Sequence, residues 1–279
     1  MIHSLDTAPL TPGNFQFIRD LVHRDAAIVI EKGKEYLVET RLAPVAMREG
    51  LASVNALVDV IRNVGASNPA LSSSVIDALT TNETLFFRDL NPFEALREHI
   101  IPRFRVANPN LPLSIWSAAS SSGQEAYSMA MLMNENFPGM PFKILGTDIS
   151  TNIVKRAMAG RYDQLEVNRG LPAKLLIKYF RQDTGGWQID DRVRRQVEFR
   201  TMNLAANWPT LPRFHVVFLR NVMIYFDLET RRRILKRVRD VLLPGGYLAL
   251  GSSETTVMVD PEYTPVPVGK ATYYQVVKK

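Results

Sequence analysis

Three short segments carry residues that could do chemistry. The first is Ser117-Ala118-Ala119-Ser120-Ser121-Ser122-Gly123-Gln124-Glu125, a run of small side chains that follows an apolar strand pattern and turns directly into a helical one. Small side chains let a ligand lie against the backbone at the carboxyl edge of a sheet, where open α/β sheets bind ligands. The run contains neither G-x-G-x-x-G nor G-x-x-x-x-G-K-[ST], so a pyrophosphate or triphosphate lacks its usual cradle. A cationic cofactor such as S-adenosylmethionine (SAM) needs no phosphate cradle, and Glu125 could receive its ammonium end; an ordinary strand-to-helix turn is the competing reading. In the second segment, Leu145-Gly146-Thr147-Asp148, an acid stands at a strand end where it can accept both hydroxyls of a ribose, or cap the helix that begins near Ser150. The third, Phe218-Leu219-Arg220-Asn221 followed by Ile224-Tyr225-Phe226-Asp227, leaves a strand with a donor pair and an aromatic close behind.

The elements that must position these segments fall into two textures. From Asn14 to about Thr81 apolar residues recur at helical spacing (Phe15, Ile18, Val22; Val54, Leu57, Val58, Ile61; Leu71, Val75, Ile76, Leu79), which predicts a small all-helical domain over 1–81. Thr11 before Pro12, and Ser53 before Val54, signal helix starts, while Pro44 kinks a helix or opens a new one. Beyond Pro112 short apolar runs alternate with helical stretches, as in a doubly wound α/β sheet. Strands are predicted at Leu113 to Trp116, Lys143 to Gly146, Val197 to Met202, Val216 to Leu219, Tyr247 to Gly251 and Thr272 to Val277. Helices are predicted from Glu125 to Glu135 and from Leu228 to Leu242, the latter closed by a Pro244-Gly245-Gly246 turn. Residues 161–200 break the alternation with a helix from Pro172 to Phe180 and a Gly185-Gly186 turn, and read as an inserted subdomain within a second domain over 82–279. On that frame the three segments fit a class I methyltransferase better than a dehydrogenase.

Composition narrows the class. The chain has 279 residues, 46% hydrophobic and 22% charged, which supports a folded core and excludes a disordered or collagen-like chain. It has no cysteine, so disulfides, zinc-thiolate sites and thiol nucleophiles are excluded. His3, His23, His99 and His215 make no metal-binding pattern, and no metal is expected. No apolar run is long enough for a membrane span, and Met1 to Pro12 lacks the basic and apolar regions of a leader, so a soluble cytoplasmic protein is expected. The net charge is +6, but residues 155–240 alone hold 19 Lys/Arg against 9 Asp/Glu. Such a patch suits nucleic acid, acidic lipid or an acidic protein, or is simply a solvated face.

Six ordered motifs extend over nearly the whole chain. They are Thr81-Asn82-Glu83-Thr84 with Phe86-Phe87-Arg88; Trp116-Ser117-Ala118-Ala119 with Ser122-Gly123, Glu125 and Tyr127-Ser128; Gly146-Thr147-Asp148-Ile149-Ser150; Asn203-Leu204; Arg220-Asn221 with Ile224-Tyr225-Phe226-Asp227; and Pro244-Gly245-Gly246-Tyr247 with Ser253-Glu254-Thr255. In these the chain resembles the chemotaxis receptor methyltransferases, the CheR family. The resemblance implies a helical N-terminal domain on a Rossmann-like SAM-dependent methyltransferase domain with a small inserted antiparallel β-subdomain. It implies methylation of glutamate side chains on the cytoplasmic helices of chemoreceptors, with S-adenosyl-L-homocysteine as the product. Carried over by position, it implies cofactor contacts from Asn82, Thr84, Arg88, Glu125, Asp148, Asn203, Leu204, Arg220 and Asn221. The chain departs from the family pattern at Gln124, Ala126, His215, Leu219 and Ser252, none of them a carried-over ligand.

A glutamate is already ionised at neutral pH and needs no general base, so positioning must carry the catalysis. Arg88 is the candidate for orienting cofactor or acceptor carboxylate and Tyr225 for one hydrogen bond to the acceptor; a purely structural role for each is the competing reading. The implied partners are the cytoplasmic domains of chemoreceptors, met by a monomer, with neither nucleic acid nor membrane insertion. Lys34, Arg41 and Arg48, spaced by sevens, would form one basic stripe for an acidic receptor helix if the segment stays helical past Pro44. A nucleic-acid methyltransferase is disfavoured because Asn221-Val222-Met223-Ile224 stands where Asn-Pro-Pro-Tyr would serve an amino acceptor. A non-catalytic SAM-sensing adaptor on receptor arrays is the alternative of a different class.

Overall fold

The computed structural model describes residues 9–64 and 68–277. The leader reading of the first residues and His3 lie outside the described residues, apart from Pro9 to Pro12. The chain divides into two compact units, one of residues up to Thr81 together with Tyr225–Asp227, the other of Asn82–Ile224 and Leu228 onward.

The helical unit contains α1 (Pro12–Ala26), α2 (Glu35–Arg48), α3 (Val54–Val64) and α4 (Pro69–Leu79). Thr11 caps α1 by accepting the Asn14 N–H, and the Ser53 hydroxyl accepts the Ala56 N–H at the start of α3, so both sequence signals are real caps. The predicted stripes meet in one core of Phe15, Ile18, Val22, Val38, Leu42, Leu57, Val58, Val75 and Leu79. Helix α2 runs through Pro44 rather than restarting there. Three residues distant in sequence complete the unit. The Val29 N–H donates to the Tyr225 carbonyl, Ile28 and Phe226 form an antiparallel bridge, and His23 Nε2 lies 3.0 Å from an Asp227 carboxylate oxygen.

The second unit opens with α5 (Asn91–Ala95) and α6 (Ile101–Ala107), joined by a π-helical turn over Leu96–Ile100. At the junction the Ile101 N–H reaches back five residues to the Leu96 carbonyl, just before Pro102, which has no N–H to give. Ten strands follow: β1 (Leu113–Ala118), β2 (Phe142–Asp148), β3 (Arg161–Tyr162), β4 (Phe180–Asp183), β5 (Gly186–Ile189), β6 (Val197–Thr201), β7 (Phe214–Leu219), β8 (Leu242–Leu250), β9 (Tyr263–Val268) and β10 (Ala271–Val276). Interleaved are α7 (Gln124–Asn136), α8 (Thr151–Ala159), α9 (Gln164–Asn168), α10 (Ala173–Tyr179), α11 (Asp191–Arg194) and α12 (Leu228–Val241).

Seven strands form one sheet in the order β6-β2-β1-β7-β8-β10-β9, parallel except for β10, which runs antiparallel to both of its neighbours. The other three form a small antiparallel sheet, β3-β5-β4. Two expectations need correction. The Pro244-Gly245-Gly246 segment does not close α12 as a free turn; it lies inside β8, where the register slips between Phe214↔Leu242 and Val216↔Tyr247, and the bulge absorbs the turn residues. Strand β9 has no counterpart among the expected strands; it contains Pro265 and Pro267 and lies at the sheet edge, where missing N–H donors are tolerated.

Register sets the site. Ala118 pairs with Thr147 of β2 and with Leu219 of β7, and Leu219 pairs with Leu250 of β8. Four strands therefore end side by side, and the segments beginning at Ala119, Asp148, Arg220 and Gly251 share one edge.

Candidate active site

The loop after β1 turns sharply into α7. Ala119, Ser121 and Gly123 all have positive φ, and only glycine adopts that region without strain. At Gly123 there is a second reason for glycine: an added Cβ would sit 2.9 Å from the Phe199 ring, and at Gly146 it would sit 2.5 Å from the same ring. Phe199 of β6 thus packs against bare backbone in both the loop and β2. The loop is then held by hydrogen bonds on every side. The Ser120 N–H donates to the Thr147 carbonyl, the Tyr162 hydroxyl to the Ser122 carbonyl at 2.8 Å, and the Ser121 hydroxyl to the Asn82 carbonyl at 2.7 Å. Tyr162 is wholly buried, and burial raises its hydroxyl well above the usual phenol range, so it stays a neutral donor.

Asp148, 6% exposed, accepts the Ser121 N–H at 2.9 Å on one oxygen and the Ser150 N–H at 3.1 Å on the other. It does not cap α8; the Ser150 side chain does that by accepting the Ile153 N–H. The carboxylate instead ties the end of β2 to the loop after β1, and its plane is fixed by both.

The second cluster is ionic. Arg220, with a side chain only 2% exposed, donates from Nη1 to Glu125 at 2.9 Å and from Nη2 to Asp89 at 2.8 Å and to the Arg88 carbonyl at 2.9 Å. Glu125 takes a further hydrogen bond from the Ser117 hydroxyl at 2.7 Å. The Arg220 guanidinium also faces the Phe93 ring, 5.8 Å from its centre. Four carboxylates, Glu125, Asp89, Asp148 and Glu254, therefore stand at this edge against one buried guanidinium, and the local balance favours a cation.

These contacts bring together Asn82 with Asp148 through Ser121, and Glu125 with Arg220 and the Arg88 backbone. The Arg88 guanidinium itself donates to the Glu83 carbonyl at 3.3 Å. Thr84 is half-buried two residues before Phe86, which is fully buried between Tyr162 and Phe180. Asn203 and Leu204 follow Met202, whose N–H donates to the Asp148 carbonyl, so they adjoin the same strand end. The Asn203 side chain accepts the Ala205 N–H in a local turn, and the Leu204 carbonyl accepts from the Trp208 indole. Asn221, at φ 56°, is the second residue after β7. Tyr225 belongs to the helical unit and Arg88 to the other.

Two residues of this edge were not singled out from the sequence. Asp89 adjoins Arg88 and has a positive φ, but an exposed-looking Arg-Asp pair gives no signal that it would reach a buried arginine. Glu254 stands in the Ser253-Glu254-Thr255 motif, which by itself gives it no role, yet its carboxylate accepts four backbone N–H groups, from Asn221, Val222, Met223 and Gly251. In the helical unit, the basic stripe is only partly a free surface. Arg41 donates to the Leu79 and Thr80 carbonyls and the Thr81 hydroxyl, capping the end of α4, while Lys34 lies over the Tyr36 ring and Arg48 is 3.7 Å from Glu49.

Residues 82–270 match the CheR methyltransferase SAM-binding domain, and residues 13–80 match the CheR methyltransferase all-alpha domain. The chain is 39% identical to chemotaxis protein methyltransferase 1 of Pseudomonas aeruginosa, over 94% of this chain and 97% of that one. It is 38% identical to chemotaxis protein methyltransferase Cher2 of Pseudomonas putida over 95% and 99% of the two chains, and 43% identical to a chemotaxis protein methyltransferase of Vibrio anguillarum over 82% and 84%. A sheet edge that gathers carboxylates without a phosphate cradle agrees with those matches, and the chain belongs to the CheR family of SAM-dependent chemotaxis methyltransferases.

Proposed function

We propose that this protein methylates glutamate side chains on the cytoplasmic helices of chemoreceptors, with SAM as donor, S-adenosyl-L-homocysteine as product and glutamate methyl esters as the modification. The observation that carries the reading is the excess of carboxylate over guanidinium at the carboxyl edge of the large sheet, beside a loop that offers no phosphate cradle. Bound SAM supplies a sulfonium-activated methyl group. The residues present fit that cofactor. The buried Ser120 hydroxyl and Arg220 Nε have no protein partner, leaving polar atoms for a ligand to meet.

In this reading Asp148, its plane fixed by two N–H groups, accepts the ribose hydroxyls. Glu125, anchored by Ser117 and Arg220, presents negative charge to the ammonium end. Asn82, Thr84, Asn203, Leu204 and Asn221 line the same cofactor. The acceptor is a carboxylate that needs no deprotonation, so the chain's task is to bring it in line with the methyl group and exclude water. Arg88 orients cofactor or acceptor carboxylate, and the Tyr225 hydroxyl donates one hydrogen bond to the acceptor. The helical unit recognises the receptor helix through Lys34 and Arg48, since Arg41 is engaged in capping α4.

The test is transfer of labelled methyl from SAM to membranes containing chemoreceptors, scored as base-labile ester. Ester formation on receptor glutamates is expected; cofactor binding without turnover would support the adaptor reading instead. Tyr225→Phe is expected to lower turnover about tenfold with cofactor affinity unchanged, the loss of one hydrogen bond to a charged group. Reversing Lys34 and Arg48 to Glu is expected to raise the receptor KM and leave cofactor affinity intact; an unchanged KM at low salt would remove the helical unit's basic face from recognition.

A further inference from the structure

The loop that leaves β7 is held twice. The Arg220 side chain is fixed by Glu125 and Asp89, and the backbone beyond it is fixed by a single carboxylate 31 to 33 residues on. Glu254 Oε2 accepts the N–H groups of Asn221 and Gly251, both at 2.7 Å, and Oε1 accepts those of Val222 at 2.9 Å and Met223 at 2.7 Å. Three successive N–H groups converging on one point repel one another unless an anion fills the focus, and such a nest forms when one residue takes a left-handed conformation. Asn221 does so, at φ 56°.

We propose that Glu254 is a positioning residue for cofactor binding, acting through Asn221. The inference rests on the reading that Asn221 meets the cofactor. The clamp lies beyond the last paired residues of the two strands, Leu219↔Leu250, so the sheet ladder is complete without it. What the clamp fixes is the loop that follows. It sets the Asn221 side chain as well as the backbone: a Cβ added at Gly251 would fall 2.7 Å from Asn221 Nδ2 and 2.7 Å from Glu254 Oε2. The amide therefore rests against bare Gly251 backbone, in a place that glycine and the Glu254 carboxylate define together. A glutamine at 254 offers one acceptor oxygen where two are used and turns an NH2 group toward N–H donors. Asn221 would then be free to leave its orientation while the strands stay paired.

The experiment is calorimetric titration with S-adenosyl-L-homocysteine of the full chain, its Glu254→Gln variant, Asn221→Gly and the double variant. Glycine at 221 removes the amide while tolerating the positive φ. Glu254→Gln is expected to weaken binding about tenfold and Asn221→Gly by a similar factor, whereas the double variant is no weaker than the worse single variant by more than about twofold. Steady-state kinetics should show the SAM KM rising with the receptor KM unchanged. Multiplicative losses in the double variant would overturn the inference, as would wild-type affinity in Glu254→Gln. If Asn221→Gly binds like wild type while Glu254→Gln does not, the cofactor reading of Asn221 is what fails, and the positioning role falls with it. Should Glu254→Gln not fold, amide exchange on the wild-type protein decides: the Asn221, Val222 and Met223 amides are expected to be protected, and rapid exchange at all three would refute the clamp.

Discussion

The carboxyl edge of the large sheet and the basic stretch over residues 155–240, apart from the Arg220 that the stretch lends to that edge, use charge in opposite ways. In the basic stretch, five arginines whose own side chains are 39–82% exposed each meet an acid at most 22 residues away: Arg156 with Glu166, Arg161 with Asp183, Arg192 with Asp190, Arg194 with Asp191, Arg200 with Glu198. Pairs of this kind are worth little, because solvent screens them and long side chains lose freedom in making them. At the sheet edge the partners are distant in sequence: Arg220 meets Glu125 and Asp89, and Asp148 meets the amide of Ser121. There Arg220, Glu125 and Asp148 are desolvated and each bond fixes a loop. The lesson is that a surplus of charge marks a solvated surface more readily than a site. A few buried charges held by backbone and by remote partners mark the place where geometry matters.

Four measurements sharpen or break this contrast. The largest effect is expected from Arg220→Met, which leaves the buried Glu125 carboxylate and the half-exposed Asp89 without their shared cation. Chemical denaturation should show a loss of about 3 kcal/mol, the low end for a broken buried pair because Asp89 is 43% exposed. A loss no larger than that of a surface variant would erase the distinction. Next, Asp148→Ala removes the acceptor that joins two loops, and its affinity for S-adenosyl-L-homocysteine should fall by about 2 kcal/mol, roughly thirtyfold. Unchanged affinity would reject the ribose assignment.

A smaller effect is expected from pH. His215 Nδ1 accepts the Ser114 N–H at 3.0 Å, its ring lies 4.4 Å from that of Phe104, and burial lowers its pKa below the ordinary 6.5. The folded state therefore favours the neutral ring. Its contribution to stability is complete above the unfolded value near 6.5 and is lost as pH falls from there through the folded pKa. Denaturation midpoints of wild type and His215→Asn should converge as pH is lowered across that window, and a constant gap would assign the acid sensitivity elsewhere. The smallest effect belongs to the basic stretch: Arg161→Ala combined with Arg200→Ala should leave the melting temperature unchanged at moderate salt. A clear drop would show that those pairs do more than decorate a solvated face.

The parts legible in the sequence are those governed by local rules. The stripes of α1, α3 and α4 and the apolar runs of β1, β2 and β7 declare themselves by period, and Thr11 and Ser53 by capping chemistry. What escaped was decided by remote partners or by place in the sheet. Tyr263–Val268 is a strand because it lies on an edge, a fact that no window around Pro265 and Pro267 contains. Glu254 is a clamp because four N–H groups in two other turns converge on it, and a backbone donor leaves no trace in residue type. Arg41 has the right spacing for a binding stripe, yet it caps α4 because the helix end happens to lie within its reach.

The allocation of Tyr225–Asp227 to the helical unit has a consequence for how the molecule can be cut. A fragment ending at Thr81 carries all four helices of that unit but lacks the three residues that answer Val29, Ile28 and His23. A fragment starting at Asn82 carries those three residues without their mates. The unit is therefore not a detachable cassette, and a graft between relatives that exchanges only the first 81 residues brings together bridge partners from two different ancestries. Swaps that move residues 225–227 along with the helices keep the bridge native, at the cost of editing the chain in two places.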